Sequence, residues 1–526
     1  MAQENCPVNK IESNFVGAAY AEEACPGLLP SLDASPAGSE DGAVWRAVEP
    51  NSFPDFGGNV TTVARNPISK SRQNKKGMVT DLEAMGGINQ DFTLQNSERL
   101  LQGFFFARSR QKPTTGRFDL PANVPIDEVV ADGFIITSNA TLGDLGFAAG
   151  HLVYAENVGM TGPQVVTAVD DTTPALLEVT IGGALTPNAS PAANAVLHSV
   201  GFQFNSGAVA IQTPVGAYPR LVATAFDLTT LPLIPGEWIF IGGDGANFQF
   251  ANNQGWARIA SITTTTMIFD KVDFAAVAEA GTGKTIRIFW GDLLKNESDP
   301  DLIKKLTVQW RRTLGSDANG VQSEYLIGSQ ANELTFNMPL ADKITVDMGY
   351  VAMDAQQRTG AEGLKPGPLV PVEVGDAFNT SSDIKRLKLS KVDAASGNVA
   401  PLFAFATEMT VTINNGVSMD KALGTLGAIG SSMGNFEVGG SMTVYFSTVE
   451  AVKAVRQNAD VTLDFIVVKK NRGFLFDIPL MTLGGGRVTV EANQPVRVPL
   501  ENQGAESAFG HTLQFQSFRY LPNLAN

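Results

Sequence analysis

Five basic residues crowd one short stretch of this chain: Arg65, Lys70, Arg72, Lys75 and Lys76 follow one another with no acidic residue before Asp81. The chain as a whole is acidic, with 38 Lys and Arg against 53 Asp and Glu and a net charge of -15. A basic loop on an acidic protein has a natural partner in the acidic surface of a neighbouring copy, a contact steered by charge. The plainer reading is a solvated hairpin tip. Other candidates for chemistry fail on inspection. Gly281-Thr-Gly-Lys-Thr285 ends like a phosphate-binding loop, but Ala278 stands where the first glycine would be, and Ile286-Arg-Ile-Phe-Trp290 continues as a strand instead of a helix. A β-turn is expected there. His151, His198 and His511 lie far apart, each in or beside a strand pattern and without a second His or a Cys at metal-ligand spacing. No pair of carboxylates stands out as a glycosidase acid and base. The sequence therefore names no catalytic, cofactor-binding or metal-binding residue, and an enzyme is not expected.

The elements that must carry the basic loop are strands. The chain has 526 residues, 44% of them hydrophobic, with 52 Gly and 28 Pro. A chain of that length exceeds a single core and should divide into about three or four domains. Val, Thr, Ile and Phe recur in short alternating runs bounded by Gly, Pro, Asn and Asp, and few stretches have helical period. The expected class is all-β with short helices. An acidic balance disfavours a tight, sequence-independent grip on DNA, which depends on Lys and Arg neutralising phosphates. Met-Ala-Gln-Glu-Asn-Cys-Pro at the start lacks a basic then apolar signal pattern, and no apolar run approaches the roughly 20 residues of a membrane helix, so folding in the cytosol without membrane insertion is expected. Cys6 and Cys25 could pair, although two thiols in so long a cytosolic chain are more often free.

The loop belongs to a pattern that the chain states twice. Gly58-Asn-Val-Thr-Thr-Val63, the long polar loop, Leu82 to Phe92 with Gly86-Gly87 inside it, and the helical Asn96-Ser-Glu-Arg-Leu-Leu-Gln-Gly103 form one copy. Glu408-Met-Thr-Val-Thr-Ile-Asn-Asn415, a Gly-rich loop, Phe436 to Phe446 with Gly439-Gly440, and the capped Ser447 to Arg456 form the other. The second loop, Gly416 to Gly434, is almost uncharged, so the two copies should meet their neighbours differently. A β-rich module repeated in one chain points to a symmetric or pseudo-symmetric assembly.

Four segments follow. Residues 1–117 hold an irregular arm and the first part of module 1, and 118–296 read as inserted small β domains, themselves two weak repeats. Residues 297–376 hold the second part of module 1, with strands expected at 306–313, 324–327, 332–338 and 343–351, and a Pro-rich linker, and 377–526 hold module 2. In the insert, strands are expected near 151–154, 165–169 and 176–181, and again near 238–241, 257–262 and 266–270. The insert is expected to fold independently, so that its removal leaves assembly intact.

Tyr325-Leu-Ile-Gly-Ser-Gln-Ala-Asn-Glu-Leu-Thr-Phe-Asn-Met338, running on to Tyr350, resembles the antiparallel strand pair of the major tail tube proteins of long-tailed bacteriophages. Gly17 to Leu29, Trp45-Arg-Ala-Val-Glu-Pro50 and the loop from Ala64 to Lys76 resemble the same family. The resemblance covers about 20–117 and 300–520. It implies β-sandwich or barrel modules with a flanking helix, set side by side in rings that stack into a hollow tube through which DNA passes to the host without specific binding. Two modules per chain would imply a homotrimer with pseudo-hexameric appearance. The resemblance also implies a place in the virion tail and partners such as the tape measure and tail terminator proteins, and it makes Arg65, Lys70, Arg72, Lys75 and Lys76 inter-ring contact candidates. An acidic wall repels phosphate over a Debye length of roughly 8 to 10 Å, which suits such a conduit.

The rival reading is a carbohydrate-binding or adhesive β protein of a virion or cell surface. Trp238, Phe240, Phe248, Phe250 and Trp256 of the insert would then form an exposed binding face, although strand aromatics are usually core. A polysaccharide-degrading enzyme is a third class, for which no constellation can be named.

Overall fold

The computed structural model describes residues 16–31, 42–68, 70, 73–93, 98–118, 124–137, 145–171, 176–192, 194–317, 320–372, 375–392, 401–403 and 405–525. Strands dominate, and the two α-helices among the described residues have 8 and 7 residues, so the class is all-β with short helices, as expected. The chain divides into two compact units. The first holds 1–107, 299–380 and 407–442, and the second holds 108–298, 381–406 and 443–526. In chain order, the elements used below are β1 (Gly17–Glu22), β2 (Gly57–Arg65), β3 (Lys75–Asp91), α1 (Glu98–Phe105), β4 (Thr307–Asp317), β5 (Gly320–Met338), β6 (Thr345–Ala352) and β7 (Ile384–Lys391). They continue with β8 (Ala406–Asn414), β9 (Glu437–Tyr445), α2 (Glu450–Arg456), β10 (Val461–Lys469), β11 (Arg472–Gly485), β12 (Arg497–Gly504) and β13 (Gln514–Phe518).

In the first unit the hydrogen-bonded neighbours run β1, β4, β5, β6, β3, β2, all antiparallel. Expected as two short strands, β5 is one strand of 19 residues that bends at Gly328, where φ is +62°. Its length lets two strands share its flank beyond β6: β4 pairs along the first half and β8 along Glu333–Met338. The Gly86-Gly87 step in β3 is a close approach. A Cβ on Gly86 would stand 2.5 Å from Leu326 Cδ1, and one on Gly87 2.6 Å from Pro54 Cγ. The described part of the N-terminal arm packs on its own unit: Ala19 and Ala21 of β1 pack with Trp45 and Tyr325, and Trp45 Nε1 donates to the Pro366 carbonyl at 3.0 Å. That bond pins the Pro-rich segment, of which Leu369–Val370 pairs in parallel with Trp45–Arg46. Helix α1 turns Leu100, Leu101, Phe104 and Phe105 inward.

In the second unit β7, β10, β11 and β12 are consecutive antiparallel neighbours. The chain just past β9 runs beside the start of β12, Phe446 N–H donating to the Val496 carbonyl at 3.0 Å. Thirteen strands between Glu128 and Phe289 form one continuous antiparallel sheet, including strands at the six places expected. The sheet wraps two cores, one built from residues 124–197 and one from 202–290. A third core joins this segment to the C-terminal strands: Leu152, Val200, Trp238, Phe240, Trp256 and Phe289 pack against Ile466, Val468, Leu475 and Phe518.

Buried charges follow the same seam. Trp238 Nε1 donates to Asp477 at 2.9 Å, Arg258 spans Asp477 at 2.9 Å and Asp270 at 2.8 Å, and both Lys271 and Arg386 hold Asp464. Asp464 and Asp477 are fully buried. Burial would raise the Asp464 carboxyl, but Lys271 and Arg386 outweigh it and hold it below the ordinary carboxylate range. An isolated carboxylate so placed costs several kcal/mol, so these acids need the insert's cations. The expectation of an insert that folds by itself and can be removed thus meets a segment that shares apolar core and counter-ions with the last third of the chain.

Candidate assembly surface

The basic loop joins β2 to β3. β-Branched Val60-Thr-Thr-Val63 favours the extended chain, and Asn66-Pro67 ends β2. Beyond Ala84, β3 leaves β6 and pairs with β2 alone, so residues 57–65 and 75–83 form a two-stranded arm. Nine residues of strand reach about 30 Å. Such a ribbon has no core of its own and is marginal in water. Every residue of β2 from Gly58 to Arg65 is exposed. So are apolar side chains on both of its strands: Val60 at 47%, Val63 at 53%, Met78 at 55% and Val79 at 52%. Arg65 closes β2 opposite Lys75, Lys75 and Lys76 open β3, and Lys70 stands exposed at the tip. None of these four forms an ion pair with a described residue, and Arg72 lies outside the described residues. The basic charge was legible in the sequence. The apolar flanks beneath it were missed, although the Val-Thr-Thr-Val run carries apolar groups on both faces.

The second Gly-rich loop also forms a hairpin, from Ser418–Lys421 and Ala428–Ser432. It exposes Leu423, Leu426, Ile429 and Met433. Its Lys421 reaches Asp81 of β3 at 2.5 Å, and that hydrogen bond holds the exposed Asp81 carboxyl below its usual range. The first acid after the basic run is therefore neutralised within the unit, which leaves the arm's positive charge uncompensated. The hairpin carries a Gly-x-Ser-x-Gly spelling at Gly430–Gly434, with Ser432 Oγ donating to Asp420 at 3.0 Å. It lies in a strand pair of a unit whose described residues include no histidine.

A family model described as phage tail tube protein matches residues 16–504, nearly the whole chain. The chain belongs to the phage tail tube family. No curated protein matches it. Membership makes it a structural protein of a phage tail, and the remaining candidates read accordingly.

The phosphate-loop spelling in this tail tube protein is a turn: Lys284 N–H donates to the Gly281 carbonyl at 3.2 Å, Gly283 has φ +78°, and the strand Arg287–Phe289 follows. All three histidines are packed. His198 Nδ1 lies 2.8 Å from Thr114 Oγ1 with burial lowering its pKa to about 3, and His151 faces Ser199 and Trp290 with burial lowering it to about 4. His511 stacks on Phe509, and burial takes it to about 3. Among the described residues no group of three His, Cys, Asp or Glu is placed to hold a metal ion. Trp238, Phe240, Phe250 and Trp256 are buried, so the exposed aromatic face expected of a sugar-binding insert is not there; Phe248 is half-buried under Arg287. Cys25 is exposed, and Cys6 lies outside the described residues. No helix among the described residues is long and apolar enough to cross a membrane.

Proposed function

We propose that this tail tube protein polymerises into stacked rings forming the hollow conduit through which phage DNA travels to the host. Each ring holds three chains with pseudo-sixfold appearance. The reading rests first on the family match over 16–504. Support for two equivalent modules per chain comes from strand order. β1–β4–β5–β6 in the first unit corresponds to β7–β10–β11–β12 in the second, with α1 before β4 and α2 before β10. A second module built on the same order is what a trimer standing in for a hexamer requires.

The net charge of -15 suits a wall past which a polyanion slides. The exposed cations Arg65, Lys70, Lys75 and Lys76, with Arg72 beside them in sequence, are assigned to acidic groups of the adjacent ring. The segment 118–296 is assigned to the tube exterior, since a wall insertion of that size would otherwise block the DNA. Other tail proteins, such as the tape measure and the terminator, are the partners this role implies. Negative-stain microscopy of the purified protein tests the proposal: rings or hollow rods are expected, and dispersed monomers across protein and salt concentrations contradict it.

A further inference from the structure

The two units keep the same strand order but differ at one position. On β5, the flank that β4 leaves at Thr307 is taken over by β8, with Leu334 opposite Ile413 and Phe336 opposite Val411. On β11, the corresponding flank is left by β10 at Val461, opposite Met481, and no described strand takes its place. From Gly484 onward the chain is held on one side only, by β12 and by the bridge of Thr489 to Arg497. This open edge, Gly484-Gly-Gly-Arg-Val-Thr-Val490, exposes Val488 at 38% and Val490 at 72%.

The strand equivalent to β8 in the repeated pattern is β2, and its condition is the opposite of β8's. Thr407, Met409, Val411 and Ile413 of β8 are buried, whereas β2 is exposed from Gly58 to Arg65 and pairs only with β3 among the described strands. Between Asn59 and Ala64 β2 carries no proline and no charge to discourage pairing. The strand of the second copy, β8, is thus seated on the long-strand flank of the first, while the strand of the first copy, β2, and the flank of the second, on β11, stay bare among the described strands.

Resting on the assembly reading above, we propose that β2 of one chain adds antiparallel to the Gly484–Val490 edge of a second copy, reproducing between chains the β8–β5 ladder made within one. The bond is head-to-tail, because the bare strand and the bare flank lie at different places on the chain, and a head-to-tail bond closes a ring or runs into a filament. Val60, Val63, Val488 and Val490 leave water in the joint. The basic tip beyond Arg65 is then free for the contact along the tube, so one arm serves both directions of assembly.

Hydrogen exchange of the full chain, compared before and after assembly, tests this. Amides of 59–64 and 484–490 are expected to slow by at least about tenfold on assembly, while those of 409–413 are already slow in the free chain and do not change. Rings or tubes in which either bare segment exchanges as fast as in the free chain overturn the strand addition and leave the assembly reading standing. Absence of any assembled species overturns both. As a second reading, Val488→Asp is expected to leave the melting of the free chain unchanged and abolish assembly; assembly of that variant at the wild-type concentration counts against the edge.

Discussion

Lys271 lies 6% exposed against Asp464, which has no exposure, with Thr462 Oγ1 at 3.1 Å and Arg386 on the other carboxylate oxygen. Replacing it by Met removes one of two cations facing a carboxylate that water cannot reach. Breaking a buried pair from one side costs about 3–5 kcal/mol. Arg386 remains, so the low end, about 3 kcal/mol, is expected for Lys271→Met. At an unfolding entropy of about 2.1 cal/mol/K per residue, a unit of about 300 residues loses roughly 1.6 °C per kcal/mol, so a fall of roughly 5 °C follows. Burial alone already pulls the Lys271 ammonium below its ordinary value against the attraction of Asp464, which is why removing both charges should hurt less than removing one. Lys271→Met combined with Asp464→Leu is expected to show a coupling of about 2 kcal/mol in a double-mutant cycle measured by urea unfolding. Strictly additive effects, or a Lys271→Met cost under about 1 kcal/mol, would refute the view that the insert supplies the counter-ions of the C-terminal strands.

Three more outcomes are expected. Lys75→Glu with Lys76→Glu should lower the yield of sedimentable tubes at low salt without changing the melting of the free chain, and raising salt should weaken wild-type tubes in the same direction, because exposed charges are screened; unchanged yield means a merely solvated loop. Deleting 118–296 should give insoluble or protease-sensitive protein, since it strips Lys271 from Asp464 and Arg258 from Asp477 and uncovers Ile466, Val468, Leu475 and Phe518; a soluble, cooperatively melting deletion variant contradicts this. Stability should fall as pH drops from about 6.5, because burial holds His151, His198 and His511 at pKa values of about 4, 3 and 3 while the unfolded chain takes up protons first; the three together cost on the order of 6 kcal/mol by pH 5. Asp273, raised by burial to about 6, runs the other way, its stability being present below about 4 and lost as pH rises through about 6, but it is one group against three; equal urea midpoints at pH 7 and pH 5 contradict the histidine reading.

The strands were legible where one face is buried. Period-2 alternation placed β8, β9 and β6 within a residue or two, and capping with helical spacing placed α1 and α2. β5 was read as two strands because Gly328-Ser-Gln-Ala331 carries no alternation, yet a glycine at positive φ lets one strand bend there and continue. The seam between the insert and the C-terminal strands could not be read from spacing: Trp238, Arg258 and Lys271 meet Asp477 and Asp464 across about 200 residues of chain, and each alone looks like an ordinary strand residue. The aromatics of the insert illustrate the same limit, since Trp238 and Trp256 are as compatible in sequence with a binding face as with the core they fill. Of the assembly surface, the charge was visible because five like-signed residues lie in sequence. The bare edge at Gly484–Val490 was not, because it is defined by a strand that is missing beside it.

The mass and symmetry of the closed ring test the assembly most directly. Native mass spectrometry of rings released from tubes, paired with image averages of the same sample, is expected to give three chains of 55.7 kDa, about 167 kDa, in a particle that looks nearly sixfold. A ring of six whole chains, about 334 kDa, would contradict two equivalent modules per chain.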